Sequence, residues 1–187
     1  MFIDYLDTPL GLFEFMATEL GICQAIFCGD KAGGDKRTGI EKSASKTNEI
    51  TDLCKRQLTE YFNGTRQEFT VPLDPQGTPF QQSVWDCLAK IPFGTVQSYG
   101  DIAKALNKPK ASQAVGGANG RNPITLIVPC HRVIGSNGSL TGYAGGVARK
   151  LWLLKHEGVN VKVSDDDAKL NINDVIDKRQ AKTEFLR

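Results

Sequence analysis

The chain has 187 residues, 40% of them hydrophobic and 24% charged, which is enough apolar material for packed cores and a length that suits two small domains. No apolar run approaches the roughly 20 residues of a membrane-spanning helix, and the opening Met1-Phe2-Ile3-Asp4 lacks the basic stretch of a signal peptide, so a cytoplasmic protein is expected. The formal net charge of +2 hides an asymmetry, with −4 over residues 1–76, +6 over 77–160 and 0 over 161–187.

Residues 2–6, 11–16 and 21–27 read as three short strands, with turns at Asp7-Thr8-Pro9-Leu10-Gly11 and Glu19-Leu20-Gly21, and so predict a small antiparallel meander. Residues 29–48, rich in Gly, Lys, Asp and Ser, read as a solvated loop. From Ile50 the apolar positions Leu53, Cys54, Leu58, Tyr61 and Phe62 recur at helical spacing until Asn63-Gly64 stops them, giving a helix to cover the meander. The alternation Phe69, Val71, Leu73 predicts one more strand, and Asp74-Pro75-Gln76-Gly77 closes a first domain over residues 1–76.

Thr78 and Pro79 have the chemistry of an N-cap and a first helical residue, and the stripe Phe80, Val84, Trp85, Leu88, Ile91 that follows is a core face. Ser98-Tyr99-Gly100-Asp101 has the spacing of a capping box and opens a helix through Leu106, with Ile102, Ala103 and Leu106 facing inward. Asn107-Lys108-Pro109-Lys110 turns the chain into a third short helix over residues 111–120. Two helices about a tight turn, inside the basic block, predict a helix-turn-helix that meets a polyanion, because phosphate contact is a charge effect. In the second of these helices Ala114, Val115, Gly116, Gly117 and Ala118 are nearly all small. Each glycine costs about 1 kcal/mol relative to alanine, a cost that implies close backbone approach. A helix poor in long side chains suits a minor groove better than base edges in the major groove, so low sequence specificity is expected.

Residues 124–128, Ile-Thr-Leu-Ile-Val, read as a buried strand ended by Pro129, which has no N–H to donate. Cys130 is then expected at a strand end beside His131, and a thiol with an adjacent imidazole can deliver a thiolate. The other cysteines, Cys23, Cys28, Cys54 and Cys87, bring the total to five, an odd number without the dense spacing of a disulfide framework. They are expected reduced, with Cys54 and Cys87 as small core residues. A zinc site on Cys23 and Cys28 has no support, since the only histidines, His131 and His156, lie far along the chain, so no metal is expected. Asn137-Gly138 and residues 142–146 make a glycine-rich loop ahead of a helix over 147–157, closed by Gly158, with Val147, Leu151, Leu154 and Trp152 on its core side. Residues 161–187 read as a solvated, mixed-charge tail with a helix over 170–185.

Asn122-Pro123, Pro129-Cys130-His131-Arg132-Val133, Tyr143-Ala144-Gly145-Gly146, Trp152-Leu153-Leu154 and His156-Glu157-Gly158, in this order and spacing, resemble the O6-alkylguanine-DNA alkyltransferases. The resemblance is strong from about 78 to 158 and looser over 1–76, where Asp7-Thr8-Pro9-Leu10-Gly11 carries it. It implies an α/β (α+β) protein: an N-terminal ribonuclease H-like domain with an antiparallel sheet over 1–76, and a C-terminal helix-turn-helix, winged-helix-like domain over 77–160. It also implies a monomer that binds duplex DNA through the minor groove and flips out an alkylated guanine, with alkylated thymine a second candidate. The alkyl group then moves once to Cys130, with no cofactor.

In the family's pattern His131 takes the Cys130 proton through a water, Glu157 orients that imidazole, and Tyr99 rotates the guanine phosphate and donates to the developing purine anion. Gln113, Ala114, Gly117, Arg121 and Asn122 face the DNA, and Asn122 also ties the recognition helix to the active-site strand. The pocket is formed by Asn122, the backbone from Val133 to Ala144 with Tyr143, and Lys150, which is either a solvated charge or polarises Tyr143. Arg132 ties loops together. Two positions depart from the pattern: Gln113 stands where an arginine usually fills the gap left by the flipped base, with Arg121 nearby to compensate, and Ala144 stands where some members carry a serine. Two other readings compete, a non-catalytic binder of alkylated DNA and a winged-helix regulator with Cys130 in its core.

Overall fold

The computed structural model describes residues 1–28, 44–140, 143 and 145–161. Most of the expected loop over 29–48, Ala144, and the tail from 162 with its expected helix lie outside them. Residues 1–78 together with 123–127 form one compact unit, and residues 79–122 with those from 128 onward form the other.

In the first unit β1 (Phe2–Thr8), β2 (Gly11–Ala17) and β3 (Ile22–Phe27) make the expected antiparallel meander in the order β1-β2-β3, with a register shift at Met16/Ala17. Alternate residues of β2, Phe13, Phe15 and Ala17, are buried on one face, as a period of two requires. Helix α1 (Glu49–Phe62) lies on the sheet, with Cys54, Leu58 and Tyr61 buried, and starts at a capping box between Asn48 and Thr51.

Two expected strands are not strands. Over 69–73 only Leu73 bridges the sheet, through Ile22 N–H to the Pro72 carbonyl (2.8 Å) and Asp74 N–H to the Ile22 carbonyl (2.7 Å). Gln57 of α1 takes the rest: its Oε1 accepts from Thr70 N–H at 2.9 Å and Val71 N–H at 3.2 Å, and Pro72 has no donor. Over 124–128 the pairing is confined to isolated bridges, Ala25 to Ile124 among them, and is interrupted at Leu126, whose φ of 72° turns the chain so that Ile127 N–H reaches the Thr125 carbonyl at 2.8 Å. The run is apolar because it is buried, not because it is extended, and residues 123–127, expected in the second domain, group with the first unit.

The second unit is a cluster of short helices. Helix α2 (Pro79–Ala89) buries Val84, Trp85 and Leu88, while Cys87 is only half-buried. Helices α3 (Tyr99–Ala105) and α4 (Ser112–Gly120) form the helix-turn-helix, with the predicted Ser98/Asp101 capping box at the start of α3. Trp85 Nε1 donates to the Ala118 carbonyl at 2.9 Å and so fixes α2 to α4. A two-residue parallel ladder, β4 (Gln97–Ser98) with β5 (Val133–Ile134), joins the cap of α3 to the chain just past Cys130.

Helix α5 (Val147–His156) presents a different face from the one expected: Lys150, Leu153 and Leu154 are buried, while Val147 is exposed and Leu151 and Trp152 are half-buried, with Trp152 stacked on His156. A buried lysine at a position read as polar rotates the apparent apolar stripe. No helix of the described residues is long and apolar enough to cross a membrane.

Candidate active site

Cys130 stands at the start of a single 3₁₀ turn, Cys130–Arg132, and not at a strand end. Pro129, with φ −81° and ψ 64°, makes an inverse γ-turn in which Cys130 N–H donates to the Val128 carbonyl at 2.8 Å. The same carbonyl accepts from Asn122 Nδ2 at 2.9 Å, which ties the end of α4 to the turn before the thiol. The thiol residue is 1% exposed.

The turn aims His131 and Arg132 at one carboxylate. Glu157, at the C-cap of α5, receives His131 Nε2 at 2.7 Å on Oε1, and Arg132 on both oxygens, Nε to Oε2 at 2.8 Å and Nη2 to Oε1 at 2.9 Å. The Gly94 N–H adds a longer contact to Oε2 at 3.4 Å, and Arg132 Nη1 donates to the Ile91 carbonyl at 2.6 Å. All three side chains are buried. Burial alone would raise the carboxyl pKa, but the charges and hydrogen bonds of His131 and Arg132 outweigh it and hold Glu157 well below the usual carboxylate range. An ionised Glu157 fixes the proton of neutral His131 on Nε2 and leaves the Nδ1 lone pair able to accept a proton. That nitrogen is buried and makes no hydrogen bond among the described residues. Burial lowers the His131 pKa, Glu157 opposes this, and the Arg132 and Lys150 charges reinforce it, so the imidazole is an unprotonated base at neutral pH.

Lys150 is fully buried and donates Nζ to the Val133 carbonyl, which removes the solvated alternative; burial pushes its pKa down to about 8. Tyr143 is buried edge-on to His131, with ring centroids 6.5 Å apart, and its hydroxyl makes no hydrogen bond among the described residues. Burial raises both the Tyr143 and Tyr99 phenols, and a negative charge on the Cys130 sulfur would raise them further, which keeps both hydroxyls protonated.

Along α4, Gln113 and Ala114 are exposed and Val115 and Ala118 are buried. A Cβ on Gly116 would stand 3.8 Å from Tyr99 Cδ1, so that ring lies against bare helix backbone. A Cβ on Gly117 would come within 3.3 Å of Arg121 Nη1, so the exposed Arg121 folds back over the helix. A cavity of about 600 Å³ opens beside this face, lined by Tyr99, Gly100, Ser112, Gln113, Gly116, Gly135, Ser136, Asn137 and Ser139.

The structure thus gathers Cys130, His131, Glu157, Tyr99, Asn122, Val133, Tyr143 and Lys150, and leaves Gln113, Ala114 and Arg121 on the surface of α4. The sequence reading missed the double hydrogen bond from Arg132 to Glu157, the turn 135–139 beside the cavity, and Asn119, a buried residue of α4 whose Nδ2 lies 3.5 Å from the Cys130 carbonyl. Neither pairing had a local signal: Arg132 and Glu157 stand 25 positions apart, and Asn119 occupies one place in a helix read only for its small residues. Among the described residues no group of three or more His, Cys, Asp or Glu could hold a metal ion.

Two family descriptions match this chain: 6-O-methylguanine DNA methyltransferase, ribonuclease-like domain, over residues 1–75, and 6-O-methylguanine DNA methyltransferase, DNA binding domain, over residues 79–159. The methylated-DNA--protein-cysteine methyltransferase of Methanosarcina acetivorans is 46% identical over 158 residues, covering 84% of this chain and 99% of the relative. The constitutive Bacillus subtilis protein of that name is 43% identical, covering 83% and 94%. Among solved structures, Mycobacterium tuberculosis OGT in complex with DNA superposes with a TM-score of 0.72 at 39% identity, over 83% of this chain and 91% of that one. Sequence, fold and the Cys130-His131-Glu157 arrangement lead to one conclusion: the chain belongs to the 6-O-methylguanine DNA methyltransferase family.

Proposed function

We propose that this protein repairs DNA by moving the alkyl group of an O6-alkylguanine to its own Cys130, once per molecule. The observation that carries the reading is the buried His131, whose Nε2 is held by Glu157 and whose Nδ1 is left as a free base next in sequence to a buried thiol. The thiol proton passes to His131 Nδ1 through a water, and the sulfur attacks the alkyl carbon. The Sγ–C bond forms as the C–O6 bond breaks, and the electron pair of the broken bond stays on the purine. Tyr99 gives its proton to that purine and regains one, through water, from the protonated His131, so the net change is a thioether on Cys130, a guanine that has gained the proton the thiol lost, and His131 and Tyr99 as they began.

In this reading residues 77–160 carry DNA binding and transfer. Gln113, Ala114, Gly117, Arg121 and Asn122 meet the minor groove, and the small residues of α4 allow the close approach that base flipping requires. The flipped base enters a pocket formed by Asn122, Val133, Tyr143 and Lys150, whose ammonium holds the Val133 carbonyl in place. The protein acts as a monomer in the cytoplasm, without metal or cofactor. Peptide mapping after incubation with DNA containing O6-methylguanine is expected to place one added methyl on Cys130, and Cys130→Ser to abolish transfer while DNA binding persists. Methyl on another residue, or transfer by the serine variant, would refute the assignment.

A further inference from the structure

Glu157 stands at the C-cap of α5, where a helix runs out of its own hydrogen-bond donors. What meets it there is the turn Ile91-Pro92-Phe93-Gly94, closed by Thr95 N–H to the Pro92 carbonyl at 3.2 Å. Three residues of this turn touch the Arg132–Glu157 pair. The Ile91 carbonyl accepts from Arg132 Nη1 at 2.6 Å, the Phe93 ring centroid lies 5.8 Å from Arg132 Cζ, and the Gly94 N–H reaches Glu157 Oε2 at 3.4 Å. Each carboxylate oxygen thus meets two donors among the described residues, His131 Nε2 and Arg132 Nη2 on Oε1, Arg132 Nε and Gly94 N–H on Oε2. Gly94 also leaves no room for a side chain. Its φ of 72° is one that glycine adopts without strain, and a Cβ there would stand 2.8 Å from the Glu157 carbonyl oxygen, a collision of backbone with backbone.

We propose that Gly94 is a positioning residue for alkyl transfer, whose bare Cα and N–H seat Glu157 so that Oε1 meets His131. The inference rests on the alkyl-transfer reading, in which Glu157 orients the base, and adds what orients Glu157. Four donors fill the roughly four lone-pair sites of a carboxylate. Glu157 therefore stays ionised throughout, and His131 keeps its Nε2 proton while Nδ1 takes the one from the thiol. A side chain at position 94 pushes on the backbone of Glu157 itself. Because Oε1 stands 2.7 Å from Nε2, a displacement of about 1 Å carries the pair beyond hydrogen-bond reach. Gly94 acts on the thiol only through Glu157 and His131.

The test measures the rate constant for Cys130 alkylation by a duplex carrying one O6-methylguanine, at a temperature where melting shows each protein folded. Gly94→Ala is made alone and together with Glu157→Gln. Gly94→Asn, a residue that tolerates positive φ better, carries the same expectations should the alanine variant fail to fold. Gly64→Ala is the control: Gly64 has φ 81° with nothing within 4 Å of a Cβ, so it bears the backbone strain without the collision and should react at the wild-type rate. Substitution at 94 is expected to slow alkylation about tenfold, as loss of support for the base would. In the Glu157→Gln background it should slow it by less than about twofold, because both changes disable one contact. The acid limb of the pH profile is a second readout. His131, next to Cys130 in the chain, is faced by Arg132 of its own turn, Lys150 of α5, Glu157 at its C-cap and the Tyr143 ring, and of the charged groups Glu157 alone favours its protonation. Withdrawing the carboxylate should therefore move the limb to lower pH. A wild-type rate in the folded variants, equal slowing with and without Glu157, or an unmoved acid limb overturns the role of Gly94. Absence of any methyl on Cys130 in the wild-type protein would instead overturn the alkyl-transfer reading.

Discussion

Glu157 is bound from two sides, by the His131 imidazole and by the two-pronged Arg132 guanidinium, so its removal should disturb both rate and stability. In Glu157→Gln the neutral amide no longer supports His131 as a base, and alkylation should slow about tenfold or more, a part of the roughly hundred- to ten-thousand-fold that general-base catalysis contributes. The buried Arg132 loses its counter-charge, so the variant should also lose stability on the order of 3 kcal/mol. Rate is therefore to be compared at a temperature where melting shows both proteins folded. The sign of the pH effect follows from His131. Its pKa is lowered, so the wild-type rate should hold level as pH falls past the ordinary imidazole value near 6.5 and drop only when Nδ1 is protonated below it. Since Glu157 raises the His131 pKa against the effect of burial, the acid limb in Glu157→Gln should move to still lower pH. A variant with wild-type rate and an unmoved acid limb would remove Glu157 from the mechanism. At this scale the sequence was legible where chemistry is local, as at Cys130-His131. It was illegible where a partner arrives from a distant turn, as Arg132 does to Glu157, and where burial reverses a residue's usual place, as for Lys150.

Helix α4 sets how the protein approaches a duplex, and its outward face carries no charge until Arg121. Glutamine at position 113 keeps hydrogen bonding but lacks the reach and cation of arginine. Gln113→Arg should therefore speed transfer from alkylguanine in duplex DNA and leave reaction with a free benzylated guanine base almost unchanged, because extrusion precedes the chemistry and a free base needs none. The measurement is the ratio of the two rate constants in wild type and variant. An unchanged ratio would take residue 113 out of base extrusion and make Arg121→Ala the next substitution. Elements with a strong period were readable: the meander, α1, α2 and the α3 capping box all follow from spacing and caps. Residues 69–73 and 124–128 were misread as strands because β-branched and apolar runs report burial as much as extension. In one case a glutamine side chain replaced the ladder, and in the other Leu126 adopted a left-handed conformation. The ladder of β4 and β5 is two residues long, too short for any periodicity to register.

Over the whole molecule the formal charge is nearly balanced, yet nine Lys and Arg against three Asp and Glu fall within residues 77–160. Affinity for duplex DNA should accordingly fall with a clear negative slope of log affinity against log salt, and scrambling the bases around the lesion should change it little. Salt-insensitive binding would contradict the assignment of that block as the DNA surface. A thioether offers water no good leaving group, so Cys130 is spent by a single transfer. Intact-mass measurement with a severalfold excess of DNA carrying one O6-methylguanine tests this most directly. Every protein molecule should gain one methyl and no more, and repair should stop at one lesion per molecule. Continued repair beyond one equivalent, or unmodified protein beside repaired DNA, would contradict it.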